Sequence, residues 1–216
     1  NNNKNNNNSD YIDDYIEYIM NSANIVFNDN YQIEAIEKYI EKLDIIDENE
    51  NIIDQVSRDE VHIKGLLHRE IHVWLHTSDN KIIFQKRSAT KDTFPNALDA
   101  SVGGHIDIGE TPEIAAIKEL EEEAGIVADI SGLNFINKKR SKTIDPSGKI
   151  NNVIRYIYSY FYMGNITDLT IEEEKGDGFF AYSISELENL DTTEKNMFLP
   201  AMISEENIEM YKQIIY

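Results

Sequence analysis

Residues 103–126, GGHIDIGETPEIAAIKELEEEAGI, contain a helix whose start and stop are written in local chemistry. Thr111 is an N-cap, and Pro112 falls at the first helical position, where a missing N–H costs nothing. Gly125 follows the last apolar residue as a C-terminal cap. The spacing therefore predicts a helix over 112–124. Ile117, Leu120 and Ala124 share one face, with Ala116 at its margin, and that stripe is expected to pack on a sheet. Glu119, Glu122 and Glu123 fall on a different arc, with Lys118 beside it. Like charges at these spacings repel by a few tenths of a kcal/mol, roughly, per pair. A hard divalent cation such as Mg²⁺ or Mn²⁺ would relieve that repulsion. A solvated acidic face is the plain alternative. The Gly-Gly pair before the helix favours the metal, because its backbone can approach a ligand closely and its carbonyl can add a donor.

Outward from this helix the texture is mixed. LDIIDENENIIDQVSR (43–58) reads as two short strands around a turn, and EIHVWLHTSDNKIIFQKRS (70–88) as a hairpin turning at Ser78-Asp79-Asn80. VIRYIYSYFYM (153–163) is the most strand-like segment, FFAYSISEL (179–187) passes from strand to helix, and 203–216 looks helical. Upstream, 1–9 is Asn-rich and low in complexity, and two short amphipathic helices follow it. The expected organisation is a tail and helical extension over 1–42, an α/β domain with a mixed sheet over 43–190, and a helical segment over 191–216 that packs on it.

Composition narrows the function. The formal net charge is −20, which argues against a general nucleic-acid binder and against docking on anionic membrane surfaces. With no Cys, thiolate zinc sites, iron–sulfur clusters and cysteine nucleophiles are excluded. No apolar run approaches a membrane span and no charged-then-apolar leader opens the sequence, so a cytoplasmic location is expected.

The same stretch resembles the Nudix box, G-x5-E-x7-R-E-U-x-E-E-x-G-U, with U a bulky aliphatic residue. Gly104, Glu110, Lys118, Glu119, Leu120, Glu122, Glu123, Gly125 and Ile126 stand at its fixed positions. Only the Arg is changed, to Lys118. The resemblance implies a Nudix-type α/β/α sandwich and a (pyrophospho)hydrolase that cleaves a nucleoside-diphosphate-type substrate by water attack at phosphorus. It further implies Mg²⁺ or Mn²⁺ held by Glu119, Glu122 and Glu123, with a carbonyl of Gly103 or Gly104 assisting. Glu110 and the residue at 118 then support the loop. Lysine keeps the charge but lacks the guanidinium fork, so weaker preorganisation is expected. The general base is Glu123 or a residue of the later run Glu172-Glu173-Glu174, with Glu174 favoured.

Beyond the box, the chain resembles the Nudix branch near isopentenyl-diphosphate isomerase. Asp145-Pro146-Ser147-Gly148 is present, as are His105 after Gly104 and His62 and His68 at roughly the spacing of the isomerases' metal-binding histidines. The isomerase Cys position is Gly103, and the Glu-Asn-Glu positions are Asn151-Asn152-Val153. Both proton-transfer residues are gone, so the scaffold is read as running hydrolase chemistry. Isomerase-like activity and a non-catalytic nucleotide-sensing module are the alternatives. His105, Arg87 and Lys91 are expected to meet substrate phosphate. A second metal site among His62, His68, His72 and His76 is conceivable, although such histidines more often pack. Trp74 and the aromatic run at 156–162 are expected in the core rather than stacked on a base. The partner is a small-molecule diphosphate, and the extra N-terminal helices point to a homodimer.

Overall fold

A computed structural model describes residues 41–91, 94–145, 147–171 and 176–216. The chain divides after Glu41, and the unit Lys42–Tyr216 carries the fold. The turn Asp47–Asn51 joins β1 (Lys42–Ile46) to β2 (Ile52–Ser57) as a small antiparallel sheet. Helix α1 (Arg58–Lys64) follows, its N-cap Ser57 accepting from the Glu60 amide. It ends at Gly65, which adopts the left-handed backbone (φ 62°). The β1–β2 sheet is held to the main sheet by a charge pair, in which Nη2 of Arg69 donates to Oδ2 of the buried Asp44 at 3.1 Å.

The main sheet is mixed. β3 (His68–His76) runs parallel to β8 (Ile150–Phe161) and antiparallel to β4 (Lys81–Arg87) and β6 (Val102–His105). β4 also pairs with the short β5 (Leu98–Asp99) and with β9 (Gly176–Ser183). β7 (Leu133–Ile144) lies outside β8. Period-two alternation along β3 sorts the two faces. Ile71, Val73 and Leu75 pack with Val102, Ile83 and the helix α2 (Pro112–Ala124). Trp74, with Ile82, Phe84 and Ile157, packs on the opposite side against Ile184 and Leu187 of α3 (Ile184–Glu188). The short α4 (Thr192–Lys195) leads on to α5 (Glu205–Ile215), which adds Ile208, Met210 and Tyr211 to that second cluster. The result is an α/β/α sandwich, as the sequence implies.

The helix at 112–124 has the bounds that its caps predict, with the Thr111 side chain accepting from the Ile114 amide at 3.3 Å. Its buried face is corrected, however. Ala116, Leu120 and Ala124 are fully buried, while Ile117 is only partly so. The small alanines bring α2 close to the sheet, and the axis is rotated so that Glu119 and Glu123 are drawn inward with them. Trp74 and Tyr158 lie in the core, as expected. No helix among the described residues is long and apolar enough to cross a membrane.

Candidate active site

β6 lies between the acids of α2 and a group of histidine rings. Its position is fixed from the strand before it. The Ser101 side chain, fully buried, accepts from the Leu75 amide at 2.9 Å and donates to the Ile83 carbonyl, tying the loop to both β3 and β4. Along β6, Gly103 lies opposite His72 and His105 opposite Glu70, which places both on one face of the sheet. Gly104 points to the other face. A β-carbon on Gly104 would stand 2.0 Å from Oε1 of Glu119, so the backbone there lies against that carboxylate.

The Gly103 amide donates to Oε2 of Glu123 at 3.1 Å. Glu119 and Glu123 are 8% and 6% exposed, whereas Glu122 is exposed at the edge of the helix. The three acids predicted as one arc are therefore split. Two lie beneath the glycine loop and the third flanks them toward solvent. Carboxylate oxygens from two buried acids, a third at the rim and glycine backbone with no Cβ in the way form a donor set that fits a hard divalent cation.

Lys118 braces the loop despite replacing Arg. Its ammonium pairs with Asp107 and lies 3.9 Å from Oε1 of Glu110. The hydrogen bond to Asp107, with the charges of Asp107, Glu110 and Glu122, holds its pKa above the ordinary lysine value. The ammonium thus reaches two separate acids of the loop, where a guanidinium would offer a fork. Asp107 had no role in the sequence reading. Its signal is only that it sits in the box's variable stretch at a distance a lysine can span.

The other face of β6 holds a different group. The rings of His62, His68 and His105 lie with their centroids 5.2 Å apart in all three pairs. The sequence reading grouped His62 and His68 with His72 and His76. The structure replaces those two with His105, because the turn from α1 into β3 brings His62 over the end of β6. His72 stacks edge-on to Trp74 and His76 packs on Phe161. Burial, with the Arg155 guanidinium nearby, pushes His72 down to about 3. Burial would raise the carboxyl of Glu70, yet Arg155, His72 and Asn151 hold it below the usual range.

Arg87, at the end of β4, donates to Oδ2 of Asp99 at 3.0 Å, and Lys91 lies in the loop beyond it. Glu174, with Glu172 and Glu173, lies outside the described residues.

Comparison with known proteins agrees with this geometry. The family model for the Nudix domain matches residues 66–201. An uncharacterised Nudix hydrolase of Clostridium acetobutylicum is 37% identical over 177 residues, covering 80% of this chain and 84% of that protein. Another, from Streptomyces coelicolor, is 40% identical over 85 residues, covering 39% of this chain and 47% of its own length. Among solved structures, DR0079 from Deinococcus radiodurans superposes with a TM-score of 0.51 at 24% identity, covering 68% of this chain and 86% of that one. A MutT protein from Methanosarcina mazei gives 0.51 at 11% identity, covering 68% and 94%. At these identities the structural likeness speaks to the fold alone.

Proposed function

The chain belongs to the Nudix hydrolase family, and from that premise we propose that it cleaves a diphosphate bond in a nucleoside-diphosphate-type substrate with the help of Mg²⁺ or Mn²⁺ held by Glu119, Glu122 and Glu123. The observation that carries this reading is the burial of Glu119 and Glu123 directly beneath Gly103 and Gly104. Carboxylate oxygens set against glycine backbone that carries no Cβ are the donor chemistry a hard divalent cation takes.

When bound, the cation neutralises phosphate charge and acidifies a water. The protein's own part is positional. Glu119 and Glu123 are fixed by the packed face of α2, Glu123 also by the Gly103 amide, and Glu122 faces the solvent from which water and substrate arrive. The Gly103 carbonyl is proposed as a further metal donor. Glu123, Glu122 and Glu174 are the residues proposed to take part in catalysis, with Glu123 or Glu174 accepting the proton of the attacking water. Arg87, Lys91 and His105 are proposed to meet substrate phosphates. Attack is in line with the leaving phosphate, as phosphoryl transfer requires.

The alternative isomerase reading is disfavoured by local space as well as by sequence. A β-carbon at position 103 would stand 2.9 Å from Cδ2 of His72, so a proton-transferring side chain there would have to displace that ring. The deciding experiment is a turnover screen over nucleoside diphosphates, sugar nucleotides, dinucleotides and cofactor pyrophosphates, with Mg²⁺ and with Mn²⁺. Metal-dependent phosphorus–oxygen cleavage of at least one class is expected. Failure across the whole panel would favour a nucleotide-sensing module instead.

A further inference from the structure

The face of the sheet turned away from α2 carries a charged row. His105 on β6 lies opposite Glu70 on β3, and Glu70 lies beside Arg155 on β8, so the three side chains rise from one face. Nε of Arg155 donates to Oε1 of Glu70, and Nη2 lies against the same oxygen. Oε2 of Glu70 accepts from Nδ2 of Asn151 at 3.1 Å. The carboxylate is thus engaged at both oxygens and grips the guanidinium from its Nε side. The other edge, Nη1 with the outer hydrogen of Nη2, meets no acceptor among the described residues. The Arg155 side chain keeps 19% of its surface exposed. Lys139, next in the row on β7, is taken by Glu206 of α5. One row along, His72 stands over Gly103, where a β-carbon would lie 3.3 Å from its Nε2. The His72 ring makes no hydrogen bond among the described residues. Stability does not call for the Glu70–Arg155 pair, because an apolar pair of the same shape does as well or better in such a place.

We propose that the free edge of Arg155, gripped by Glu70 and flanked by His72, reads the base of the substrate and selects nucleotides of guanine or cytosine. The proposal rests on the hydrolase reading for its ligand, a nucleoside diphosphate. A guanidinium edge is a fork for two neighbouring acceptors. Carboxylates, phosphates and certain bases offer such a pair. Glu70 already balances the charge of Arg155, so an anion gains little there and a neutral pair of acceptors fits. Guanine offers O6 and N7, and cytosine offers O2 and N3. Adenine and uracil present no two acceptors side by side. The neutral imidazole of His72 adds one donor and one acceptor for the rest of the base. Two strand spacings, about 10 Å, separate β8 from β6. His105 on β6 is the residue proposed to meet phosphate, and a ribose with its base bridges that gap.

Calorimetric titration of the full chain with GMP, CMP, AMP and UMP tests this without turnover, since monophosphates lack the bond to be cleaved. GMP, CMP or both should bind roughly 5- to 150-fold more tightly than AMP and UMP, the discrimination of one bidentate contact. Arg155→Lys keeps a positive charge beside Glu70 but has no fork. It should erase the preference while AMP affinity and the thermal melt stay close to wild type. Glu70→Gln combined with Arg155→Gln removes both charges together, should erase it too, and serves if lysine at 155 unfolds the chain. If this double variant weakens inorganic phosphate as much as it weakens GMP and CMP, Arg155 is an anion site and the proposal is wrong. A preference for guanine or cytosine that survives in both variants assigns base reading to another group and also overturns it. Equal affinity of the wild type for all four nucleotides overturns the base subsite alone and leaves the hydrolase reading standing. Binding of none of the four overturns it as well, and the turnover screen then shows whether the hydrolase reading falls with it.

Discussion

Gly104 and Glu119 stand so close that a single added methyl would overlap the carboxylate, with only 2.0 Å between the would-be β-carbon and Oε1. Gly104→Ala should therefore displace Glu119 rather than unfold the protein. A shift of about 1 Å at a catalytic group can cost on the order of 100-fold in rate, and that is the loss expected in kcat/KM. Steady-state kinetics beside a thermal melt would check it. Wild-type kinetics in a folded Gly104→Ala variant would mean that Glu119 has no part in the reaction.

Glu122 and Glu123 differ in burial, and their amide variants should differ accordingly. Glu122→Gln, at an exposed position, should leave stability within about 0.5 kcal/mol of wild type. It should still abolish most turnover, by roughly two to three orders of magnitude if it removes several kcal/mol of metal-linked stabilisation. Glu123→Gln should lose activity as well, with a measurable change in stability, because Glu123 is buried and accepts the Gly103 amide. Near-full hydrolysis by either variant would refute the metal assignment.

Lys118 tests whether a lysine can do the bracing. Lys118→Met removes a partly exposed tie to Asp107 and Glu110, worth about 0–1 kcal/mol in stability. Its effect should appear instead as a fall in kcat/KM from a looser loop. Asp107→Asn should reproduce that fall, and the double variant should be no worse than either single one. Additive losses in this cycle would show that the two residues act separately.

Acid should destabilise the fold before its carboxylates titrate. His72 is held at about 3 against 6.5 when unfolded, so folding excludes a proton that the unfolded chain takes up. That contribution is complete above pH 6.5 and is lost as pH falls toward 3. Between pH 7 and pH 5 the loss amounts to at most about 2 kcal/mol for one such histidine. His68, also lowered by burial, acts in the same direction. Urea midpoints measured across that range should fall in the wild type and fall less in His72→Gln. A midpoint independent of pH would contradict the burial of these rings.

The core of α2 should respond as a packed helix interface. Leu120 is fully buried between Ala116, Ala124 and the sheet, and Leu120→Ala should cost about 2–5 kcal/mol. Equilibrium denaturation would measure this. A cost near zero would place the helix off the sheet.

Much of this was legible in the chain because local signals and tertiary demands agree. Thr111, Pro112 and Gly125 mark the ends of α2, and strand periodicity marks β3, β4 and β8. The misses have physical causes. β7 reads LNFINKKRSKTI, polar on both faces, because it lies outside β8 and buries little. Helix α1 is too short for periodicity to speak, and its signals are confined to Ser57 and Gly65. The acidic arc was found but not its division, since helical spacing cannot say how far the helix is rolled toward the sheet. His105 was seen in the loop but not beside His62, because their meeting depends on the antiparallel register of β6 on β3.

That four-residue strand works like a two-sided key. Alternate teeth engage different locks, Gly104 the acids on one side and His105 the imidazoles on the other. Moving β6 by one residue would present a histidine to Glu119 and a glycine to His62 and His68. Substitutions between β5 and β6 are therefore easier to accommodate than insertions or deletions, because a change in length there moves Gly104 and His105 together. The spacing from Ser101 to His105 should persist among descendants of this chain that keep this strand pairing, even where the surrounding loops drift.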